Sequence, residues 1–167
     1  SAPIGDAPFV WTTVLPEVAA CSALVPADGS LGLTWFETDF LDGGWLQGNT
    51  GVGYDYTGLI GLDIGTLMSN LHPTAYVRVS FTLDPPDLED AESLRLRMKY
   101  EDGFIGYLNG QKAASSNAPE SPQWDSISTT QRPDGEAVTF QDFDITVHLD
   151  KLQLGDNILG IHALNVT

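Results

Sequence analysis

Lys99 to Asn117 reads KYEDGFIGYLNGQKAASSN, and the rest of the chain is organised around it. Two tight-turn signals, Glu101-Asp102-Gly103 and Asn109-Gly110, flank the apolar run Phe104 to Leu108. Asp-Gly and Asn-Gly between apolar segments favour hairpins, because glycine accepts the positive φ that type I′ turns require. The stretch therefore predicts three consecutive antiparallel strands, with Asp102 and Asn109 explained by their turns.

Working outward, the flanking segments carry the same signature. Val77, Val79, Phe81 and Leu83 alternate with Tyr76, Arg78, Ser80 and Thr82, which predicts a strand with one core face and one outward face. Leu94, Leu96, Met98 and Tyr100 alternate with Arg95, Arg97 and Lys99, so three of the 7 basic residues share one outward face and are expected to meet carboxylates on neighbouring strands. Val138 to Leu149 reads as a strand whose apolar phase slips near Gln141-Asp142, as a bulge or a strand break would produce. Ile158 to Leu164 is apolar on both faces and is expected to be central.

Earlier in the chain, Phe9 to Leu15, Ser22 to Pro26 and Val52 to Tyr56 read as short strands. Helical signal is confined to Asp63 to Leu71, where Ile64, Leu67, Met68 and Leu71 recur at the 3.6 period before His72-Pro73. Turn signals at short intervals, many strands and at most one or two short helices predict an all-β protein, an antiparallel β-sandwich of the jelly-roll kind. We expect one sandwich domain over residues 1–167, excised from a larger protein, with 1–21 an N-terminal extension or a first strand.

Charge narrows the partners. There are 23 acidic and 7 basic residues, a formal net charge of -16, and no Lys or Arg precedes Arg78. Nucleic acid needs clustered cations and is excluded as a partner, as are anionic membranes. No run approaches the roughly 18 apolar residues of a membrane span. The single Cys21 reads as a small buried hydrophobe.

The segments LVPADGSLGLTWFETDFLDGGWLQGNTGVGYD, YVRVSF, YEDGFIGYLNGQKAASSNAP and LGDNILGIHALN together resemble a galactose-binding-like jelly-roll domain of secreted and surface proteins of bacteria. It is related to the sugar-binding-like domain of family 2 glycoside hydrolases. The resemblance covers Ala23 to Asn165 and implies a non-catalytic module attached to an enzyme or adhesin, extracellular or at the cell surface. Relatives with this fold often hold a structural calcium ion.

No nucleophile elbow, zinc-binding H-E-x-x-H or phosphate loop is present, and His72, His148 and His162 fall in unrelated segments. Polysaccharide sites pair aromatic faces with a few placed polar groups. Trp124 stands in the long polar segment Ser115 to Gly135, with Asn117, Gln123 and Asp125 as companions; it reads either as a stacking platform or as a plug pinning that loop. A second expected surface carries Tyr107 and Arg78 beside Arg95 and Arg97, with guanidinium groups aimed at acidic glycans. Glu37, Asp39 and Asp42 beside Gly43-Gly44 read either as calcium ligands or as surface acids around a turn. The leading functional expectation is a carbohydrate-binding module whose partners are a polysaccharide or oligosaccharide and neighbouring domains. An architectural or adhesive module without a sugar site is the alternative, and a glycoside hydrolase or lyase domain a third.

Overall fold

The β-branched alternation of Thr74–Leu83 builds the longest strand, and it runs antiparallel to an equally long partner, Gly155–Leu164. Their register is unbroken from Gly155 opposite Leu83 to Leu164 opposite Thr74. These two strands are the spine of a computed structural model that describes residues 10–167.

In chain order the elements are β1 (Ala20–Leu24), β2 (Leu46–Asn49), β3 (Val52–Gly53), β4 (Leu62–Asp63), α1 (Gly65–Met68), β5 (Thr74–Leu83), α2 (Pro85–Leu88), β6 (Arg95–Met98), β7 (Gly103–Leu108), β8 (Gln111–Ser116), α3 (Asp134–Ala137), β9 (Gln141–Asp144) and β10 (Gly155–Leu164), with a 3-10 turn at Thr146–Lys151. Six strands form one antiparallel sheet in the order β2-β1-β5-β10-β7-β8. The pairs β3-β4 and β6-β9 make the opposing layer. The protein is an all-β sandwich.

The pleat divides the core in two. On one face Cys21, Ala23, Val77, Val79 and Leu159 pack with Val52, Leu62 and Leu96 from the opposing layer, and Ile64 and Met68 extend this core over Ala75. On the other face Tyr76, Ile105, Tyr107 and Leu164 pack under Trp35 and Phe36 from the segment between β1 and β2. Trp35 stacks on Tyr76 at 4.2 Å and Phe36 on Tyr107 at 3.7 Å. The side expected to be outward is therefore covered: Tyr76 is 3% and Arg78 3% exposed.

The opening stretch holds one hairpin, not two. Asn109 at φ 47 and Gly110 at φ 84 turn β7 into β8, as Asn-Gly requires. Residues 101–103, by contrast, carry the chain from one layer to the other, because β6 pairs with β9 whereas β7 pairs with β10 and β8. Asp102 is drawn inside: its carboxylate accepts the backbone N–H of Arg132 at 2.9 Å and of Val166 at 3.0 Å, and its own N–H donates to the carbonyl of Leu164 at 2.8 Å. A carboxylate so used serves long-range closure more than its own turn. The same holds for Asn109, which donates to the carbonyl of Lys151 and to Asn157 Oδ1, and accepts from the N–H of Ile158, each at 2.8 Å.

Three other expectations are revised. Residues 10–15 of the expected Phe9–Leu15 strand have no strand structure, and Phe9 lies outside the described residues. The strand expected over Val138–Leu149 is reduced to β9, since Asp144 accepts the N–H of Thr146 and starts the 3-10 turn. Only one turn of the expected 63–71 helix forms. It buries Ile64 and Met68 but leaves Leu67 and Leu71 exposed; the helix ends at Met68 with Ser69 as its C-cap, and Asn70 follows at φ 59.

Candidate functional site

The opposing layer is built of two short strand pairs and leaves a gap, along which residues 10–18 run. The groove lining this gap has a volume of about 1980 Å³ and reaches from surface residues such as Trp11 and Phe140 inward to the buried side chains of Val77 and Val79.

The lip is aromatic and charged. Alternation along β6 sends Arg95 and Arg97 to one side, where each meets Asp142 of β9: Arg95 Nη1 to Oδ2 at 3.1 Å and Arg97 Nε to Oδ1 at 2.8 Å. Lys99 reaches Glu17 at 2.5 Å. The expected pairing of these cations with neighbouring carboxylates is present. Each cation also lies over a ring, Arg95 over Trp11 at 4.1 Å, and Arg97 and Lys99 over Phe140 at 4.9 and 4.5 Å. Trp11 is 47% and Phe140 37% exposed, so both present apolar surface at the groove.

Tyr54 and Tyr56 line the same groove. Tyr54 Oη accepts a hydrogen bond from Asn165 Nδ2 at 3.1 Å, and burial pushes its hydroxyl upward in pKa. Tyr56 is pushed up further, first by burial and then by its hydrogen bond to Glu101, with the charges of Asp134 and Asp102 adding to it. Both hydroxyls remain protonated donors at neutral pH. The groove thus offers rings and hydrogen-bonding tips together, the combination that holds a sugar ring by its apolar face and its hydroxyls.

The residues singled out from the sequence lie elsewhere. Trp124, Asp125 and Tyr107 gather at the opposite face, around Trp35 and Tyr76. Trp124 is half-buried against that aromatic cluster, and a Cβ on Gly29 would stand 2.9 Å from its Cδ1. Tyr76 is pushed up to about 12 by burial, with smaller contributions from Tyr107 and the charge of Asp125. Asn117 is engaged in closing the loop: its side chain donates to the carbonyl of Asp102 at 2.9 Å, and its own carbonyl accepts from Ser128 Oγ and the N–H of Thr129. Gln123 is exposed, its backbone N–H given to Ser126 Oγ.

Arg78 is not on a shared surface with Arg95 and Arg97. It projects from the six-stranded sheet into the core, where Nε donates to Asp42 at 3.0 Å, Nη1 to the carbonyls of Trp35 and Glu37, and Nη2 to that of Phe40. Asp42 also accepts from Ser22 Oγ. Its carboxylate therefore faces a guanidinium, while Glu37 and Asp39 stand exposed on the same segment. Among the described residues no group of three or more His, Cys, Asp or Glu is assembled that would hold a metal ion.

Tyr56, Glu101, Phe140 and Trp11 were not legible as a group, since nothing in their spacing links positions so far apart in the chain. The one signal was the cation row of β6, which marks the wall they share.

This fold, one broad antiparallel sheet opposed by a partial second layer, is similar to part of several solved glycoside hydrolases. Among solved structures the chain is similar to a calcium-binding mutant of Bacteroides uniformis beta-glucuronidase 2, at 15% identity and TM-score 0.54, over 89% of this chain and 14% of that one. It is similar also to an uncultured Clostridium sp. beta-glucuronidase, at 14% identity and TM-score 0.54, over 94% of this chain and 24% of that one. A glycosyl hydrolase family 2 member from Bacteroides cellulosilyticus aligns at 14% identity and TM-score 0.52, over 91% and 18%. At such identities the likeness shows the fold, and the chain spans a quarter or less of each of these proteins. No family model and no curated protein matches the chain.

Proposed function

We propose that this domain is a non-catalytic carbohydrate-binding module of a larger extracellular polysaccharide-processing or surface protein, and that glycan lies in the groove between the layers. The observation that carries this reading is the grouping of Trp11, Tyr54, Tyr56 and Phe140 with charged and hydroxyl groups along one open groove. The fold likeness to domains of beta-glucuronidases supports a carbohydrate setting.

The test is binding of the purified chain to a panel of polysaccharides, with wild type beside Tyr56→Ala in the groove and Trp124→Ala on the opposite face. Loss with Tyr56→Ala and retention with Trp124→Ala is the expected pattern. The reverse pattern moves the site to the 117–133 loop.

A second reading has its own observation. Leu33 and Leu41 are 64% and 90% exposed on the segment that Arg78 holds down, and each would lose apolar surface to water-free contact if a neighbouring domain docked there. An architectural module would use that surface and bind no glycan in the panel. Calcium on this segment is a separate proposal, in which Asp42 shares its carboxylate between Arg78 and an ion completed by Glu37 and Asp39. Millimolar calcium would then raise the melting temperature through binding to the folded state. Identical melting curves in calcium and in chelator remove it.

A further inference from the structure

We infer that the groove selects glycans without carboxylate or sulfate groups and rejects uronate-bearing chains. This rests on the reading of the groove as the glycan site and adds the chemical class of its ligand.

The walls are charged unevenly. The cations lining the groove among the described residues are Arg95, Arg97 and Lys99. Each is already engaged with a protein carboxylate: Arg95 and Arg97 divide the two oxygens of Asp142, and Lys99 is bound to Glu17. Each is also seated on an aromatic ring. A ligand carboxylate therefore meets cations already drawn to protein carboxylates and held against rings, and its gain from the N–H groups they leave over is the small one of an exposed ion pair.

Carboxylates dominate the rest of the lining. Asp55, Glu101 and Asp134 line the groove together with Tyr56, and the acidic run Glu89, Asp90 and Glu92 also lies along it. Tyr56 senses this field, since the charges of Glu101, Asp134 and Asp102 all hold its proton on. At physiological salt charges are screened over about 8 Å, so a uronate is repelled wherever it settles beside one of these lining carboxylates. With a chain net charge of -16, approach is repulsive before contact is made. A neutral hexose or pentose chain meets none of these costs, and its hydroxyls donate to the same carboxylates.

The experiment is affinity gel electrophoresis and calorimetry of the 167-residue chain with neutral polysaccharides (xyloglucan, galactomannan, laminarin) and with polygalacturonate and hyaluronate, at low and high salt. At least one neutral glycan is expected to bind about tenfold or more tighter than either polyuronate, with little change on adding salt. The variant Asp55→Asn/Asp134→Asn is expected to gain measurable affinity for polygalacturonate. A polyuronate that binds wild type more tightly than every neutral glycan, with affinity falling as salt rises, overturns the selectivity while leaving the groove as a glycan site. No binding of either class, or neutral binding that survives Tyr56→Ala, overturns the groove reading itself.

Discussion

The guanidinium of Arg78 meets the carboxylate of Asp42 at 3.0 Å beneath the segment joining β1 to β2, and it also takes the carbonyls of Trp35, Glu37 and Phe40. One side chain thereby fixes the cover of an entire sheet face. Trp35 and Phe36, which stack on Tyr76 and Tyr107, are held in place by the same hydrogen bonds.

Removing that residue leaves Asp42 without its cation and the carbonyls of Trp35 and Phe40 without their partner, while that of Glu37 keeps the N–H of Phe40. Arg78→Ala is expected to cost about 3–5 kcal/mol, and Arg78→Lys to recover only part of it, because an ammonium has no planar fork to span four acceptors. Urea unfolding followed by tryptophan fluorescence measures both. An Arg78→Lys protein as stable as wild type would contradict this role.

A second knot ties the β7-β8 hairpin to β10. Asn157 is fully buried, donates to the carbonyls of Gln153 and Gly155, and accepts from Asn109 Nδ2 and the N–H of Gln153. Asn157→Ala strands these partners at about 1–3 kcal/mol for each group left unsatisfied. Asn157→Asp turns a carboxylate oxygen toward the two carbonyls in a fully buried site and is expected to be at least as destabilising as alanine at neutral pH in chemical denaturation.

Acid sensitivity follows from His162. Burial among Trp35 and Tyr76 lowers its pKa from 6.5 to about 4, and Nε2 has no hydrogen-bond partner among the described residues. The unfolded chain therefore binds a proton that the folded chain refuses. Stability from this group is complete above pH 6.5 and is lost as pH falls from there to about 4. At about 1.4 kcal/mol per pH step the loss approaches roughly 3 kcal/mol. The difference between wild type and His162→Phe, followed by thermal melts from neutral to acid pH, isolates it from the carboxylates; parallel curves would contradict it.

Trp124 carries a prediction about stability. Its packing against the Trp35 and Tyr76 cluster and against Gly29 makes Trp124→Ala destabilising by about 1–3 kcal/mol, with the hydrophobic surface it loses as the cause. Thermal melting of the variant checks this, and an unchanged midpoint would show that the ring is not pinning the loop.

The fold was legible where a residue acts locally. Asn109-Gly110 marks a hairpin by its backbone alone, and Val77 to Leu83 marks a strand by alternation. Asp102-Gly103 carries the same local signal, yet its carboxylate is used by Arg132 and Val166, far along the chain, and that long-range demand turns the segment into a crossover. Arg78 misled for a related reason: alternation shows that it lies opposite Val77 and Val79 but not that Trp35 and Phe36 cover it. The cation row of β6 was legible, pairing included. The groove was not, because Trp11, Tyr56, Glu101 and Phe140 meet only through the gap in the second layer.

The central claim is that glycan binds in this groove, and the most direct measurement is the affinity of the chain for its best neutral polysaccharide, compared between wild type, Tyr56→Ala and Trp124→Ala. Loss of about tenfold or more with Tyr56→Ala, against little change with the folded Trp124→Ala protein, is the expected result. Affinity unchanged by Tyr56→Ala, or an absence of binding to every glycan tested, would contradict it.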